Sequence, residues 1–569
     1  MIHHWNKAMA AFVILASILA YPVNLVAADN ESVPVYQTVE RYALNESVQV
    51  EVKSILNERA ASGTQIGVVI KMFNTGSQMT RVPEYDLRVV TDTGTYYTLR
   101  PSENNAAAIQ PQEKVELSYL VTLERNTDFK ITSLYWVDKD EFEYPIREKT
   151  VLSIPITDQW NGGKSFDNGG VQKLAWKQPF AIPVLSVSLR YTPMQVIHQN
   201  SAQGPVAVVT LLVENMGTMK EMVPDIQLDG NTDNKVYHGK RIAATEPVTL
   251  EPGEKQQLYY AIPLEEGVQL KSLTVLNQEN YVQSDKTVLG LRIGRLNISL
   301  DTLYGSEQPV AGGFNSVIAF DSLNKLVPQG VDVSLVELHM HGAEGEGYQM
   351  AVAKFKLQNK TGQPLPVPGI LAGIRTNDGY NYLGARQSAV VQELIPNLSY
   401  VISYSFNLPN SEKGNELVMN LLDGQSAAPY RIPIASFRTQ VQKETDDSKL
   451  TFYPFEANLN YWSVSTLYDQ GKYKYKMNMD LDIKRLENIV VDQNFSKLKI
   501  ELADTSGRAI GSQSFSFTGV NRLVSGKQSF IFDDIRTDQI ENQLMVNIYE
   551  SIDTPFGEAK RLVKSFKQR

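Results

Sequence analysis

The chain has 569 residues, with 54 lysines and arginines against 63 aspartates and glutamates, which gives a formal net charge of −9 at pH 7. This acidic balance argues against nucleic acid or an anionic lipid surface as the partner, because both attract basic proteins. The sequence contains no cysteine, which excludes a disulfide framework, a thiolate metal site and a cysteine nucleophile. A chain this long exceeds one hydrophobic core and fits roughly three to five domains.

The N-terminus has the pattern of a secretory signal peptide. Lys7 precedes an apolar run at residues 8–20, and small residues follow up to Ala28. The run is shorter than the ~20 residues that a membrane-spanning helix needs. The sequence therefore predicts a signal peptide at residues 1–28, cleaved after Ala28, and no stable transmembrane anchor afterwards. The predicted location is extracytoplasmic, either secreted or at the cell envelope, and a large cysteine-free exported chain is typical of bacteria.

Three stretches of the chain share one spacing, in which an asparagine ends an alternating apolar run and prolines follow nine and thirty-seven residues later. Two prolines at fixed offsets from a given asparagine occur by chance about once in five hundred, since ordinary proline frequency is ~5%. Three occurrences therefore indicate repeated domains. The sets are Asn74, Pro83 and Pro111; Asn215, Pro224 and Pro252; and Asn359, Pro368 and Pro396.

The apolar residues of the three copies keep the same phase. Those two, four and six positions before each asparagine lie on one face of a strand, because side chains alternate with period two. A second alternating run follows the later proline, and its Tyr119, Tyr260 and Tyr404 share the inward phase. A slip of one residue would turn every side chain to the other face, so the sequence predicts one register and one core per copy. The proline at the ninth position is expected to open the next strand, where a missing amide costs least.

Residues 450–569 lack the prolines but keep alternating runs, as at 473–483 and 498–502, and we interpret them as a diverged fourth copy. About seven short strands in ~110 residues are typical of an Ig-like antiparallel sandwich. The predicted fold is all-β, with four tandem Ig-like antiparallel β-sandwich domains after the signal peptide. Their predicted bounds are 46–158, 180–300, 330–440 and 450–569.

The residue composition indicates three linkers between these domains. Residues 158–170 form a Gly-rich link, residues 301–330 a longer mixed link, and residues 443–448 a short charged link. The middle link carries four apolar side chains that could pack locally, namely Phe314, Val317, Ile318 and Phe320.

The repeated frame ends in similar segments, Leu250-Glu251-Pro252-Gly253-Glu254-Lys255 in the second copy and Ile109-Gln110-Pro111-Gln112-Glu113-Lys114 in the first. This frame of turns and Pro-led strands resembles the Ig-like domains of Gram-positive secreted proteins and lipoproteins. The resemblance covers the first three domains and departs in the third copy at 394–397. It implies a sandwich fold and extracellular placement, and it transfers no catalytic residue, because such domains serve unrelated roles.

Chemistry-bearing patterns are scarce. After the signal peptide only four histidines remain, which leaves little for a Ser-His-Asp triad or a His-rich zinc site. No nucleophile elbow, zinc-protease helix motif, phosphate-binding Gly loop or EF-hand loop occurs. The sequence therefore predicts a non-enzymatic protein without catalytic residues and without a cofactor.

The remaining metal candidates are His339 and His341, which share a strand face and flank Met340. Two imidazoles with a nearby thioether would suit copper. The alternative is a solvated strand end, and no third ligand is evident, so no metal ion is predicted. Turn acids such as Asp92 and Asp378 could bind calcium, but turn geometry already explains them.

We expect a non-enzymatic exported cell-envelope or secreted protein whose tandem sandwiches serve as spacer and interaction modules, with a cell-surface protein or glycan of unknown identity as partner. The alternative is an extracytoplasmic small-ligand or metal-binding protein, for example the partner of a transporter. A hydrolase with auxiliary Ig-like domains is disfavoured, because four sandwiches leave no room for a separate catalytic domain.

Overall fold

A computed structural model describes residues 40–568 apart from short gaps, so the predicted signal peptide lies outside the described residues. The described residues form strands and no helix, which confirms the all-β prediction and leaves no helix among them that could cross a membrane. The gaps are residues 61–62, 125–127, 141–143, 163–171, 243–246, 304–308, 343–346, 389–390, 444–448, 470–471, 487, 493, 534 and 536–542.

Four large hydrophobic cores follow one another along the chain. We call the parts of the chain that surround them units 1 to 4. Independent folding of each unit as a domain, and the predicted domain bounds, stay predictions. The units comprise residues 40–162, 172–303, 309–443 and 449–568.

Unit 1 contains ten strands, eight of which follow one path of neighbours, β1-β2-β3-β8-β6-β5-β9-β10, and fold over one core. The other two strands, β4 and β7, pair with each other in a separate two-stranded ladder. The strands are β1 (Tyr42–Ala43), β2 (Val48–Ala60), β3 (Gly63–Asn74), β4 (Thr80–Arg81), β5 (Asp86–Thr91), β6 (Tyr96–Pro101), β7 (Ala108–Ile109), β8 (Lys114–Leu123), β9 (Ile131–Asp140) and β10 (Arg147–Pro155).

Unit 2 has two five-stranded sheets, β11-β22-β21-β16-β17 and β12-β13-β14-β20-β18, on either side of its core, and the ladder β15-β19. The strands are β11 (Gln172–Leu174), β12 (Phe180–Ile182), β13 (Ser186–Ser201), β14 (Gly204–Asn215), β15 (Glu221–Met222), β16 (Ile226–Asn231), β17 (Val236–His238), β18 (Lys240–Arg241), β19 (Thr249–Leu250), β20 (Lys255–Pro263), β21 (Ser272–Val282) and β22 (Val288–Ser299).

Unit 3 repeats this topology with the sheets β23-β33-β32-β27-β28 and β29-β31-β25-β24, and the ladder β26-β30. The strands are β23 (Val310–Ala311), β24 (Val331–Gly342), β25 (Tyr348–Asn359), β26 (Leu365–Pro366), β27 (Leu371–Arg375), β28 (Asn381–Leu383), β29 (Ala385–Arg386), β30 (Glu393–Leu394), β31 (Ser399–Pro409), β32 (Leu417–Asp423) and β33 (Ile432–Thr439).

Unit 4 has the sheets β34-β35-β36-β40 and β42-β41-β38-β39, and the second of these joins the sheet of unit 3 where β24 meets β42. The strands are β34 (Lys449–Phe452), β35 (Phe455–Asp469), β36 (Lys472–Arg485), β37 (Ile489–Val490), β38 (Lys497–Ala503), β39 (Ala509–Ser516), β40 (Gly526–Phe532), β41 (Met545–Thr554) and β42 (Gly557–Lys567).

The predicted inward phase is confirmed in all three repeated copies. Tyr119, Tyr260 and Tyr404 are buried core residues, and burial raises the pKa of the Tyr119 and Tyr404 hydroxyls to about 12. The nine side chains before the asparagines are at most 1% exposed: Val68, Ile70, Met72, Val209, Leu211, Val213, Ala353, Phe355 and Leu357.

The repeated asparagine makes the same hydrogen bonds in each copy. Asn215 is fully buried, and its Nδ2 donates to the carbonyl oxygens of Met219 at 2.8 Å and Leu250 at 3.0 Å. Its Oδ1 accepts from the Gly217 amide at 2.9 Å. Asn74 and Asn359 make the equivalent bonds, each to carbonyls four and thirty-five residues later. The side chain therefore joins the end of one strand to the following loop and to the small ladder.

The second proline of the spacing occupies a turn that directly follows this ladder. In unit 2 the Glu254 amide donates to the Glu251 carbonyl, which makes Pro252 the second residue of a β-turn and Gly253 the third, with φ of 75°. Gln112 and Asn397 hold the third position in units 1 and 3, also with positive φ. A proline followed by a positive φ is the pattern of a type II turn.

The expectation for the first proline was wrong. Pro83, Pro224 and Pro368 do not open strands but lie in the connections before β5, β16 and β27. In unit 1 this connection leads from β4, which pairs with β7, to β5, which pairs with β9. Proline suits such a crossing because it has no amide to donate to a ladder.

The described parts of the first and middle links contain side chains that pack against the units. In the first link, Trp160 is 7% exposed and lies in a cluster with Leu56 of unit 1 and Leu291 of unit 2. A Cβ at Gly294 would approach the Trp160 ring within 2.4 Å. In the middle link, three of the four apolar residues expected to pack do contact the core of unit 3, whereas Val317 is exposed.

Charged side chains lie beside Trp160 where units 1 and 2 meet; Lys53, Glu279 and Arg295 are largely buried, whereas Glu116 is 45% exposed. Lys53 Nζ lies 2.6 Å from Glu116 and 2.9 Å from Glu279. Arg295 donates to the Lys53 carbonyl at 3.0 Å and lies 3.4 Å from Glu279. Burial lowers the pKa of Arg295 to about 10, against the opposing effect of Glu279. Two cations and two carboxylates balance each other across this contact.

A second balanced set lies where units 3 and 4 meet. Lys354, 2% exposed, lies 2.6 Å from Glu550 and 2.9 Å from Glu337. Arg561, also 2% exposed, lies 2.8 Å from the other oxygen of Glu550. The two flanking units supply these charges from β24, β25, β41 and β42.

Replacing the repeated asparagine by aspartate should destabilise its unit. Asn215→Asp exchanges two donors for a carboxylate that faces two carbonyl oxygens, and we expect a loss of about 3 kcal/mol or more in the free energy of unfolding. Hydrogen exchange of unit 2 peptides measures it. The control is Asn234→Asp, since Asn234 lies exposed in a hairpin turn. Equal effects of the two variants would contradict the structural role of Asn215.

Removing the buried lysine between units 3 and 4 should cost far more than removing an exposed one. Lys354→Met leaves Glu337 and part of Glu550 buried without a cation, and breaking such a set costs about 3–5 kcal/mol. Lys360→Met, the control, removes a surface ion pair with Asp332, which contributes about 0–1 kcal/mol. Denaturant unfolding with hydrogen exchange of β25 and β41 distinguishes the two, and similar losses would argue against the buried set.

Candidate functional site

Units 2 and 3 meet over only part of a sheet face. Val206 and Val208 of β14 point away from the unit 2 core and pack against Ala427 and Ile432 of unit 3. Gln199 exchanges two hydrogen bonds of 3.3 Å with the backbone of Arg431. Farther along β14, a cleft separates this face from unit 3.

The uncovered part of the face forms the floor of a cleft of about 690 Å³. Thr210 lies directly opposite Gln195 of β13 and Tyr259 of β20 in the sheet register. The walls come from the start of unit 2 at Trp176 and from residues 321–325 and 423–434 of unit 3. The volume is within the range of about 300–1,000 Å³ that is usual for small-ligand sites, which often lie between domains.

Cations outnumber acids around the cleft. Lys177, Arg241, Lys255 and Lys325 line it, against Asp321 and Asp423. Within the described part of the chain, neither Arg241 nor Lys325 has an ion-pair partner, whereas Lys255 lies 2.9 Å from Glu214.

Both acids of the cleft are already hydrogen-bonded in local turns. Asp423, 5% exposed, accepts bonds from the amides of Gln425 at 2.7 Å and Ser426 at 3.1 Å. Asp321 accepts from the amide of Leu323 at 2.8 Å. These bonds leave both carboxylates charged, so the lining carries four cations against two anions in a protein whose net charge is −9.

Two polar groups that line the cleft are buried without a partner. The Thr210 hydroxyl, on a residue 2% exposed, and the Asn324 Nδ2 have no hydrogen bond to any described residue. A buried polar group without a partner costs about 1–3 kcal/mol, so such groups mark a place where a ligand can supply the missing bond.

Tyr259 adds an aromatic ring and a neutral donor. Its hydroxyl donates to Gln257 Oε1 at 2.7 Å. Burial, together with the nearby Asp423, raises the pKa of this hydroxyl to about 12, so it stays protonated at physiological pH.

None of the cleft residues was predicted from the sequence to be functional, although Lys255 belongs to the repeated frame. Most of them lie on the outward phase of β13, β14 and β20 or in connecting segments. The polar Thr210 between apolar Val208 and Leu212 on that outward phase is the local signal that could have marked the face.

The two histidines considered for copper lie elsewhere, between units 3 and 4. His339 and His341 do share a face of β24, and they are 7% and 1% exposed rather than solvated. His341 Nε2 lies 3.8 Å from Glu550, the carboxylate held by Lys354 and Arg561.

The thioether expected beside these imidazoles points the other way, since Met340 packs against the core of unit 3. Among the described residues, no group of three or more His, Cys, Asp or Glu side chains is arranged to hold a metal ion. The turn acid Asp504 accepts bonds from Ser506 and Arg508 in its own turn.

His341 should make the contact between units 3 and 4 sensitive to acid. Burial lowers its pKa below the ordinary value of about 6.5, against the opposing effect of Glu550. The unfolded chain then binds the proton first, so this stability is present above about pH 6.5 and is lost as the pH falls below it. The pKa of Glu550 is also lowered, although burial opposes this, by Lys354 and Arg561, and its contribution is lost only below about pH 4.5.

His341→Gln should therefore flatten the decrease in unfolding free energy between about pH 6.5 and pH 4.5, where one proton changes the slope by at most about 1.4 kcal/mol per pH unit. Urea unfolding at a series of pH values measures the slope. The control is His238→Gln, on a side chain 64% exposed. A slope that His341→Gln leaves unchanged would contradict the assignment.

No protein-family model matches the sequence, and the comparison with curated proteins gives no significant match. Among solved structures, one similar chain is dimeric latent PorU from Porphyromonas gingivalis, with 9% sequence identity and a TM-score of 0.13. The alignment covers 67% of this chain and 34% of PorU, so this chain spans about a third of that length. A likeness at this TM-score carries no argument about fold or function.

Proposed function

We propose that the protein is a non-enzymatic exported protein of the cell envelope, or a secreted one, whose four Ig-like sandwiches form a stiff spacer that carries interaction sites. The observation that supports this proposal best is that adjacent units contact one another through buried side chains. Domains in one chain move relative to each other unless their interface is substantial and apolar. Here Trp160 and the Lys53 set fill the first contact, and the Lys354 set fills the last.

The Ig-like assignment rests on the layout of units 2 and 3, where two largely antiparallel sheets enclose one core. Extracytoplasmic placement rests on the signal-like sequence at 1–28 and the absence of cysteine. Loops and open sheet edges of such sandwiches are usual places for partner binding, including strand addition.

The cleft supports a second candidate function, the binding of a small ligand outside the cytoplasm. Its size, its place between two units and its unpartnered polar groups favour this role. The two roles are compatible, because a stiff array would hold the cleft open at a fixed place along the spacer.

Stiffness is testable with spin labels, since the chain has no native cysteine. Thr98→Cys in unit 1 and Glu266→Cys in unit 2 are exposed positions. We expect a single narrow distance distribution, as narrow as that of a control pair within unit 2, Ala202→Cys and Glu266→Cys. Adding Trp160→Ala to the first pair should broaden its distribution, because the link then loses its anchor. A broad distribution in the unaltered background would contradict the spacer role.

Export and interaction need a separate experiment in the producing cell. Mass analysis of the mature protein should find it outside the cytoplasm and beginning at Asp29, and affinity capture from envelope fractions should retain a specific protein or glycan. An intracellular protein with residues 1–28 intact, or capture of nothing, would overturn the proposal.

A further inference from the structure

We propose that the cleft between units 2 and 3 binds a short anionic saccharide, with Arg241 and Lys325 facing its acidic groups and Thr210 and Asn324 bonding its hydroxyls. This inference rests on the ligand-binding role proposed above and adds the chemical class of the ligand.

The charged side chains of the cleft favour an anionic ligand. Two of the four cations lining the cleft have no ion-pair partner among the described residues, while both acids accept hydrogen bonds from nearby amides. The unpaired cations therefore favour a ligand with carboxylate or phosphate groups. The arginine suits either group, since its planar guanidinium can bind two oxygens at once.

The polar side chains of the cleft favour a ligand with hydroxyl groups. The floor and wall present the side-chain amides of Gln195, Gln257 and Asn324. Two of their oxygens are already used, Asn324 Oδ1 by the Leu326 amide and Gln257 Oε1 by the Tyr259 hydroxyl, whereas the Thr210 hydroxyl and Asn324 Nδ2 lack partners among the described residues. A ligand rich in hydroxyls can donate to one group and accept from the next.

Two aromatic side chains in the cleft favour a ligand with sugar rings. Trp176 and Tyr259 both line the cleft, and Trp176 also packs against the core of unit 2, which fixes its position. Aromatic side chains combine an apolar surface with a polar group, which matches the mixed character of a sugar ring. The proposed ligand thus has rings, hydroxyls and negative charge.

Two sources could supply this chemistry, a chain of uronic acids or a phosphorylated sugar, and calorimetric titration of the full chain can distinguish them. The probes are tetragalacturonate, trehalose 6-phosphate and, as the neutral reference, maltotetraose. We expect at least one anionic probe to bind at least tenfold more tightly than maltotetraose, and its affinity to fall as salt rises.

Variants locate the binding. Arg241→Gln with Lys325→Gln should weaken the anionic probe at least tenfold, whereas Lys413→Gln, an exposed lysine outside the cleft, should leave affinity unchanged. Thr210→Val should weaken binding several-fold while the melting temperature stays the same or rises, because no described hydrogen bond is lost. This separates a binding defect from a folding defect.

The outcomes are distinct. Binding of an anionic probe that depends on Arg241, Lys325 and Thr210 supports the proposal. Equal binding of maltotetraose that depends on Thr210 overturns the anionic class but keeps the cleft as a ligand site. Absence of binding by all three probes, or binding that ignores the cleft variants, overturns the assignment to this cleft, and the spin-label distances test the spacer role independently.

Discussion

In each of the first three units, one buried asparagine carboxamide ties together the end of a central strand, the loop that follows it and a short ladder thirty-five residues later. Both of its Nδ2 hydrogens are used, and its oxygen accepts a backbone amide. The rest of the unit depends on this contact, because it fixes where the chain leaves one sheet and crosses to the other. With the crossing fixed, the alternating residues of the paired strands fall on one inner face, and a single core forms.

The alternation that places half of the strand residues in the core places the other half on an outer sheet face, and the units differ in which residues cover that face. Between units 1 and 2 the cover is a tryptophan with a balanced set of buried charges, and between units 3 and 4 it is Lys354 and Arg561 around Glu550. Each buried charge in these sets has an oppositely charged partner, as buried charges require. These contacts are the basis of the proposed stiff array.

Between units 2 and 3 the cover is incomplete, and the cleft results from this. Apolar side chains cover one end of the β14 face, while Thr210, itself 2% exposed, and its polar neighbours line the cleft at the other. Arg241, Lys325, the Thr210 hydroxyl and Asn324 Nδ2 have no partner among the described residues, and a ligand is proposed to supply one. The proposed binding and the proposed stiffness would share one structural origin, the way in which each sheet face meets the next unit.

The sequence by itself determined the strands and their inward phase, because alternation is local and a core tyrosine such as Tyr260 is specified by its neighbours two residues away. It also indicated that Phe314 and Ile318 would pack. The sequence could not predict the contact of Lys354 with Glu550, because 196 residues separate the pair. It also could not predict the role of Trp160. Only the tertiary structure decided which outer faces are covered, because coverage depends on how separate units meet, and no periodic pattern within one strand records that.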